Sequence, residues 1–409
     1  PLFRDDPMGW EPLRFSTARG SDPGLTVLEL SEVQEHTSVS DQAPLMVKVP
    51  VVLQEGEAIL AVGFDGDLYL PLGWSRRHAN HTEVRLERLP HPVAQQARSL
   101  TGSIRILFQK LVGARLGRPY AYPLLAAAAW DAEGGVSYVR DVDAVRQKVS
   151  SAERVVLFVH GIIGDTEGSG ARLRLRPGKD VALTFDYENL HTTIEENARG
   201  LKQRLDEVGL PQGHAKELVI VAHSMGGLVS RWFIEKEGGK DVVSRLLLCG
   251  TPNGGSPWPT VQDWVTSAVA MALNGLTAVA WPAAAVGWLL SGLERLDNSL
   301  DQMKPGSALL TELARAPDPK RPYTILAGST SLAPEAGPRW RQLAQRLFHR
   351  ALSAAFLFEP NDIAVSVASI GQVDRRRAPA PRVVEVACDH LTYFRAPAGL
   401  AALQEALGG

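Results

Sequence analysis

The stretch Leu218–Gly227, LVIVAHSMGG, decides the fold. An apolar β-type run closes at Ala222 and His223, Ser224 follows, and Met225-Gly226-Gly227 opens a segment with helical spacing. A serine wedged between strand and helix in this way reads as a nucleophile elbow. The backbone turns sharply, takes a strained conformation and lifts the hydroxyl above the sheet edge. Such a turn needs very small neighbours two residues to either side, and Ala222 and Gly226 supply them.

Around this turn, from about Tyr120 onward, strand-like and helix-like text alternates. That is the signature of a mostly parallel sheet with helices on both faces. PLLAAAAW and VSYVRD flank Asp131 to Gly135 and read as an opening antiparallel hairpin. VVLFVH (155–160), VALTFDY (181–187), ELVIVAH (217–223), RLLLCG (245–250), YTILAG (323–328) and RVVEVA (382–387) follow as buried strands. Thr192 and Thr193 precede Glu195 and Glu196 at capping-box spacing, which starts a helix running to about Val208. PAGLAALQEAL is a closing helix.

The front of the chain has a different texture. From Leu25 to about Leu89, LTVLEL, LMVKVPVVL, AILAVGFDGDLYLPLG and TEVRLERL alternate with turn residues, and Asp65-Gly66 is a hairpin signal. Residues 1–102 are therefore expected to form a small β-rich domain. SIRILFQKLVGARL has helical spacing and a positive end, so a helical connector is expected over 103–119, followed by the α/β domain over 120–409. His78, His81 and His91 find no carboxylate or cysteine at ligand spacing and read as loop histidines rather than metal ligands.

With 409 residues the chain has room for two domains and a large core. Cys249 and Cys388, the only cysteines, suit reduced structural thiols better than a disulfide framework. A net charge of -2 and a pI near 6.6 argue against a nucleic-acid partner, and the one basic run, Arg375-Arg376-Arg377, reads as a solvated loop. No charged-then-apolar leader follows Pro1-Leu2-Phe3, so the expectation is a processed product or a piece of a longer polypeptide, in the bacterial cytoplasm and active at the membrane surface.

A serine hydroxyl is a weak nucleophile at its free pKa. Ser224 needs a base within hydrogen-bond reach and a third group to orient that base. His390, in CDHLTYF, lies directly after the last strand, whereas His349, the other histidine beyond Ser224, sits in a helical, Arg-rich segment. Asp362, in FEPNDIAVSVAS, follows the penultimate strand and is the expected orienting acid, with Glu359 and Asp374 as substitutes. Asp389 is next to His390 and poorly placed to reach its far ring nitrogen. Acyl transfer also needs two N–H donors for the developing oxyanion. Met225 is one, and Ile162, in the His160-Gly161-Ile162-Ile163-Gly164 loop after VVLFVH, is the other. This chemistry needs no cofactor and no metal.

FVHGIIGD, FDYENLHTTIEENARGL, VIVAHSMGGLVSRWFIE and LLCGTPNGGSPWP together resemble the α/β-hydrolase superfamily, in particular the bacterial triacylglycerol lipases and the GPI inositol-deacylase-like hydrolases. Ala222 stands where the first glycine of the elbow is more usual, as it does in several bacterial lipases. The resemblance covers about Tyr120 to the C-terminus. It implies Ser224 as nucleophile, His390 as base, Asp362 as acid, and Ile162 and Met225 as oxyanion donors. The arrangement also resembles lipase-like modules found beside caspase-like protease domains in large bacterial proteins.

Residues 264–293 carry no charge. A single membrane crossing there is excluded, because strands on either side belong to one sheet. Asn274-Gly275 and Pro282 break the run into two helices apolar over more than one face, and a cap over the active site is expected at about 256–305. Trp264, Trp281 and Trp288 suit an apolar acyl pocket or a lipid surface. The expected activity is hydrolysis of an acyl ester or phospholipid. An acyltransferase or peptidase on the same residues, and a non-catalytic interaction module, are the alternatives. The N-terminal domain is expected to dock a protein partner or the parent polypeptide.

Overall fold

The structure, a computed structural model, describes residues 27–30, 38–40, 42–49, 52–53, 57–64, 68–78, 80–90, 104–112, 123–130, 136–161, 173–187, 192–258, 270, 301–332, 359–390 and 392–408. These fall into two compact units, each built on its own sheet. Most of the expected cap, together with Ile162, His91, His349 and the Asp65-Gly66 turn, lies outside the described residues.

The first unit carries strands β1 (Val27–Leu30), β2 (Leu45–Val49), β3 (Glu57–Phe64), β4 (Tyr69–Arg77), β5 (Thr82–Leu86) and β6 (Ile104–Val112). They form an antiparallel sheet in the order β1-β6-β3-β4-β5-β2. Period-two burial builds it: Thr82, Val84 and Leu86 of β5 are buried and alternate with more exposed Glu83 and Arg85.

Strand β6 corrects the expected helical connector. Residues 104–112 are not helical but form a strand between β1 and β3. IRILFQKLV is short and rich in β-branched and aromatic residues, a case in which apolar spacing fits either helix or strand. Pairing on both edges, with Ile106 and Phe108 buried, decides for the strand.

The second unit contains β7 (Leu124–Trp130), β8 (Val136–Val139), α1 (Val142–Ser151), β9 (Arg154–Val159), β10 (Asp180–Asp186), α2 (Ile194–Glu207), β11 (Glu217–His223), α3 (Met225–Lys236), β12 (Arg245–Cys249), α4 (Ala308–Ala314), β13 (Tyr323–Gly328), α5 (Val367–Ile370), β14 (Arg382–Val386) and α6 (Pro397–Leu407). Its eight-stranded sheet runs β14-β13-β12-β11-β9-β10-β7-β8, parallel from β14 to β10, with the β7-β8 hairpin antiparallel at one edge. This is the α/β-hydrolase fold. Thr193 caps α2 in a reciprocal box with Glu196, as its sequence predicts. One face of the sheet presents Val156, Phe158, Val219, Val221, Leu247 and Cys249 to Leu403 and Leu407 of α6. Leu248 on the opposite face meets the first turn of α3. The chain leaves β9 toward β10 on one side and returns as β11 on the other. That reversal opens a crevice at the carboxyl ends of β9 and β11, the general ligand position in such sheets. Among the described residues no helix is long and apolar enough to cross a membrane.

Arg377 departs from the solvated loop expected of its run. It is buried, and its guanidinium donates to both carboxylate oxygens of Glu235 on α3 at 3.0 and 2.7 Å. Arg231 and the Tyr323 hydroxyl donate to the same carboxylate at 2.9 and 3.0 Å. Burial opposes ionisation of Glu235, yet the two arginines outweigh it and hold the carboxyl below its ordinary value of 4.5. Removing the shared acid leaves two buried cations unpaired, so Glu235→Ala is expected to lose roughly 3–5 kcal/mol in urea unfolding. Because the folded pKa is depressed, this contribution is full above pH 4.5 and fades as the pH falls through the folded value, so the difference between wild type and variant narrows in acid.

Candidate active site

Strand β11 ends at His223 and α3 begins at Met225, so Ser224 is the whole turn. Its φ of 52° and ψ of -127° lie where side chains rarely go, the strained geometry an elbow demands. The Ser224 N–H donates to the Cys249 carbonyl on β12 at 2.9 Å, and its own carbonyl accepts from Gly227 N–H at 3.0 Å. A methyl group on Gly226 would lie 2.2 Å from the His160 carbonyl oxygen, and one on Gly161 would lie 2.7 Å from Ser224 Cβ. Only glycine lets α3 approach the end of β9 this closely.

His390, in the loop after β14, faces the serine: its Nε2 is 2.9 Å from Ser224 Oγ. Its Nδ1 is 2.8 Å from Asp362 Oδ2. Asp362 is fully buried, and its carboxylate also accepts from Ala364 N–H (3.1 Å), Val365 N–H (2.8 Å) and the Tyr393 hydroxyl (3.0 Å). The His390 N–H donates to the Asp362 carbonyl at 2.8 Å, tying the two loops together through the backbone. The structure thus brings Ser224, His390 and Asp362 into one hydrogen-bonded line. The two substitute acids stand apart: Glu359 is exposed, and Asp374 is engaged by Arg376, which holds its carboxyl down at about 2.

Met225 is the first residue of α3, so its N–H is one of the donors that a helix leaves without an internal acceptor, at the positive end of the helix dipole. The partner donor expected at Ile162 lies outside the described residues, but His160, two residues before it, is anchored. The Tyr187 hydroxyl donates to the His160 carbonyl at 2.7 Å, and the Tyr187 and His160 rings stack at 4.5 Å.

Three supporting residues escaped the sequence reading. Tyr393 donates to Asp362 and accepts the Gly328 N–H at 2.6 Å, joining the acid to the end of β13. Tyr187 does the same service for His160. His223 gives its Nε2 hydrogen to the His390 carbonyl at 2.7 Å, with the two rings 4.9 Å apart. Tyr393 falls three residues after His390 and His223 directly before Ser224, but only the fold shows that these side chains turn inward.

The elbow and the hydrogen-bonded line at the carboxyl end of a hydrolase-type sheet define the class, an α/β-hydrolase-fold protein. The family model "Domain of unknown function (DUF7379)" matches residues 119–408, and the chain belongs to that family. No curated protein matches the sequence. Similar solved structures include the mature form of the Bacillus licheniformis lipase BlEst2, with 18% identity and a TM-score of 0.40 over 63% of this chain and 91% of that one. MenH from S. aureus is similar at 14% identity and a TM-score of 0.38, over 63% and 93% of the two chains. Phospholipase PlaB from Legionella pneumophila gives 17% identity and a TM-score of 0.33, over 53% and 45%.

Two outcomes follow from the packing. Gly226→Ala forces the end of β9 aside and is expected to cost about 3 kcal/mol or to abolish soluble expression, as urea unfolding or yield would show. Burial, and then the nearby His390, push the His223 imidazole from 6.5 down to about 3. The unfolded chain therefore takes up a proton between these values that the fold refuses, and stability falls as the pH drops from 6.5 toward 3. His223→Gln keeps an N–H donor without titrating, so its stability profile should be flatter across that window.

Proposed function

We propose that this protein is a serine hydrolase that cleaves carboxylic acyl esters through an acyl-enzyme on Ser224. The observation carrying the reading is the continuous line from Ser224 Oγ through His390 to the buried Asp362 carboxylate. As Oγ attacks the ester carbonyl, His390 Nε2 takes its proton, and Asp362 holds the ring and balances the imidazolium charge. The carbonyl oxygen becomes an oxyanion against the Met225 N–H and a donor from the loop after Gly161. Collapse breaks the ester C–O bond, and His390 returns the proton to the departing alcohol. Water then enters by the same steps in reverse roles and releases the acid.

The favoured substrate is a lipid acyl ester, in the manner of the bacterial triacylglycerol lipases and GPI inositol-deacylase-like enzymes that the sequence resembles. The uncharged run 264–293 supports it, since a long acyl chain needs apolar lining and the run offers thirty residues without a charge. Contact with a lipid surface through this run is part of the same proposal.

The test is turnover of p-nitrophenyl esters of increasing chain length and of phospholipid vesicles, with fluorophosphonate labelling of the protein. Activity should rise with chain length, fall roughly a million-fold in Ser224→Ala and about ten-thousand-fold in Asp362→Asn, and the label should map to Ser224. Acyl transfer to added alcohol in preference to water would redirect the reading to an acyltransferase. A folded wild type that neither turns over any ester nor takes the label would overturn it.

A further inference from the structure

The first unit holds a second cluster of chemistry-bearing side chains, unrelated to the serine. β4 and β5 form a hairpin with Arg77 paired to Thr82, closed by the His78 N–H donating to the His81 carbonyl at 2.9 Å. His81 and Glu83 are two residues apart and so share one face of the strand, and the turn folds His78 back onto them. His78 Nε2 lies 3.3 Å from Glu83 Oε2, and His81 Nε2 lies 3.3 Å from Glu83 Oε1. One donor atom from each of the three residues falls within 4.8 Å of the others. The two imidazoles stack at 4.7 Å and 7°. The sequence did not suggest this grouping because His78 meets His81 and Glu83 only when the hairpin closes.

The geometry points to a binding site for a zinc-class divalent cation at His78, His81 and Glu83. Two imidazole nitrogens and one carboxylate are a donor set for zinc and its first-row neighbours, leaving a fourth position for water. Zinc bonds of about 2.1 Å set tetrahedral ligand atoms roughly 3.4 Å apart; here each imidazole nitrogen lies 3.3 Å from a different Glu83 oxygen, and one ligand atom from each residue falls within 4.8 Å of the others. Small side-chain tilts at this partly exposed hairpin end would bring one Glu83 oxygen and both nitrogens to that spacing.

Two further observations bear on how these residues would hold a cation. Asn80 Oδ1 accepts from His81 Nδ1 at 2.8 Å, so Nδ1 carries a hydrogen and Nε2 is the ring atom turned to the carboxylate. Metal-bound histidines are held in this way by an acceptor on the far nitrogen. Glu83 also has cationic residues directly opposite on both neighbouring strands, Arg76 on β4 and Lys48 on β2. Its two oxygens nevertheless point to the imidazoles. Such close approach of an imidazole nitrogen to a carboxylate oxygen needs a positive centre between them, either a ring N–H or a metal cation, and a bound cation would take the place of the ring hydrogen.

The test is calorimetric titration of the chelator-stripped full chain with zinc chloride, with magnesium and calcium chloride as oxygen-preferring controls. The expected result is one saturable zinc equivalent per chain, little heat from magnesium or calcium, and a melting temperature that rises with zinc concentration. His81→Ala and Glu83→Gln should each weaken that equivalent at least ten-fold, and Asn80→Ala by about ten-fold through the far ring nitrogen. Glu83→Gln keeps the residue's shape, and circular dichroism would check that each variant is folded. His390→Ala should keep the equivalent, which separates this site from the hydrolase line. Absence of a saturable zinc equivalent, or one unaltered in both His81→Ala and Glu83→Gln, would overturn the assignment and leave a hydrogen-bonded hairpin end.

Discussion

The candidate site depends on one crowded contact, where the first turn of α3 meets the end of β9 with room for a hydrogen at Gly226 but not a methyl group. Strands β9 and β11 are adjacent and in register, with Ala222 opposite Val159, so the chain emerging from β11 has little space in which to turn. A wider turn would relax Ser224 and lower its hydroxyl toward the sheet. The tight one keeps φ at 52°, a conformation costing of order 1–3 kcal/mol. The fully buried β9 and the inward residues of β11 and β12 hold the surrounding backbone, so that cost is offset locally.

His390 and Asp362 arrive from far along the chain, His390 being 166 residues from Ser224. Their precision comes from loops tied to one another more than to the serine. Asp362 is fixed by two backbone N–H groups and the Tyr393 hydroxyl, and its own carbonyl receives the His390 N–H. Gly250, at the end of β12 with a φ of 59°, leaves space for both, since a methyl group there would lie 2.8 Å from Asp362 Oδ2 and 3.1 Å from His390 Nδ1. The Glu235–Arg377 pair adds a more distant tie, linking α3 to the segment that feeds β14 and hence the histidine loop. Such mutual restraint is what pre-organises a reacting geometry before any substrate binds.

Much of this was legible in the sequence, because the strongest signals were local. Alternation of buried strands and helices, the small residues around Ser224 and the capping box at Thr193 each need only a few neighbouring residues to be read. The elbow in particular announces its backbone through Ala222 and Gly226. What the sequence hid was tertiary. IRILFQKLV carries spacing that fits helix or strand, and only its two pairing partners choose. Arg377 looks solvated until Glu235 is seen beneath it, and Glu83 has no visible tie to His78 until a hairpin closes between them. Asp362 was one of three acids open to the role, and the hydrogen bonds that separate it from Glu359 and Asp374 come from Tyr393 and from backbone the sequence does not display.

The pair His223 and His390 shows how environment separates two identical side chains. Their rings are 4.9 Å apart, and both lie within reach of Ser224 along the chain or in space. His223 has a carbonyl as partner and a burial that disfavours charge, so it stays neutral well into acid. His390 instead has a carboxylate on one nitrogen and a hydroxyl on the other. In the proposed reaction a proton leaving Ser224 would find only one imidazole whose new charge is balanced by a carboxylate. Because His223 does not readily charge, the arrangement that fixes the position of His390 also places no second cationic ring beside it, as the proposed role requires.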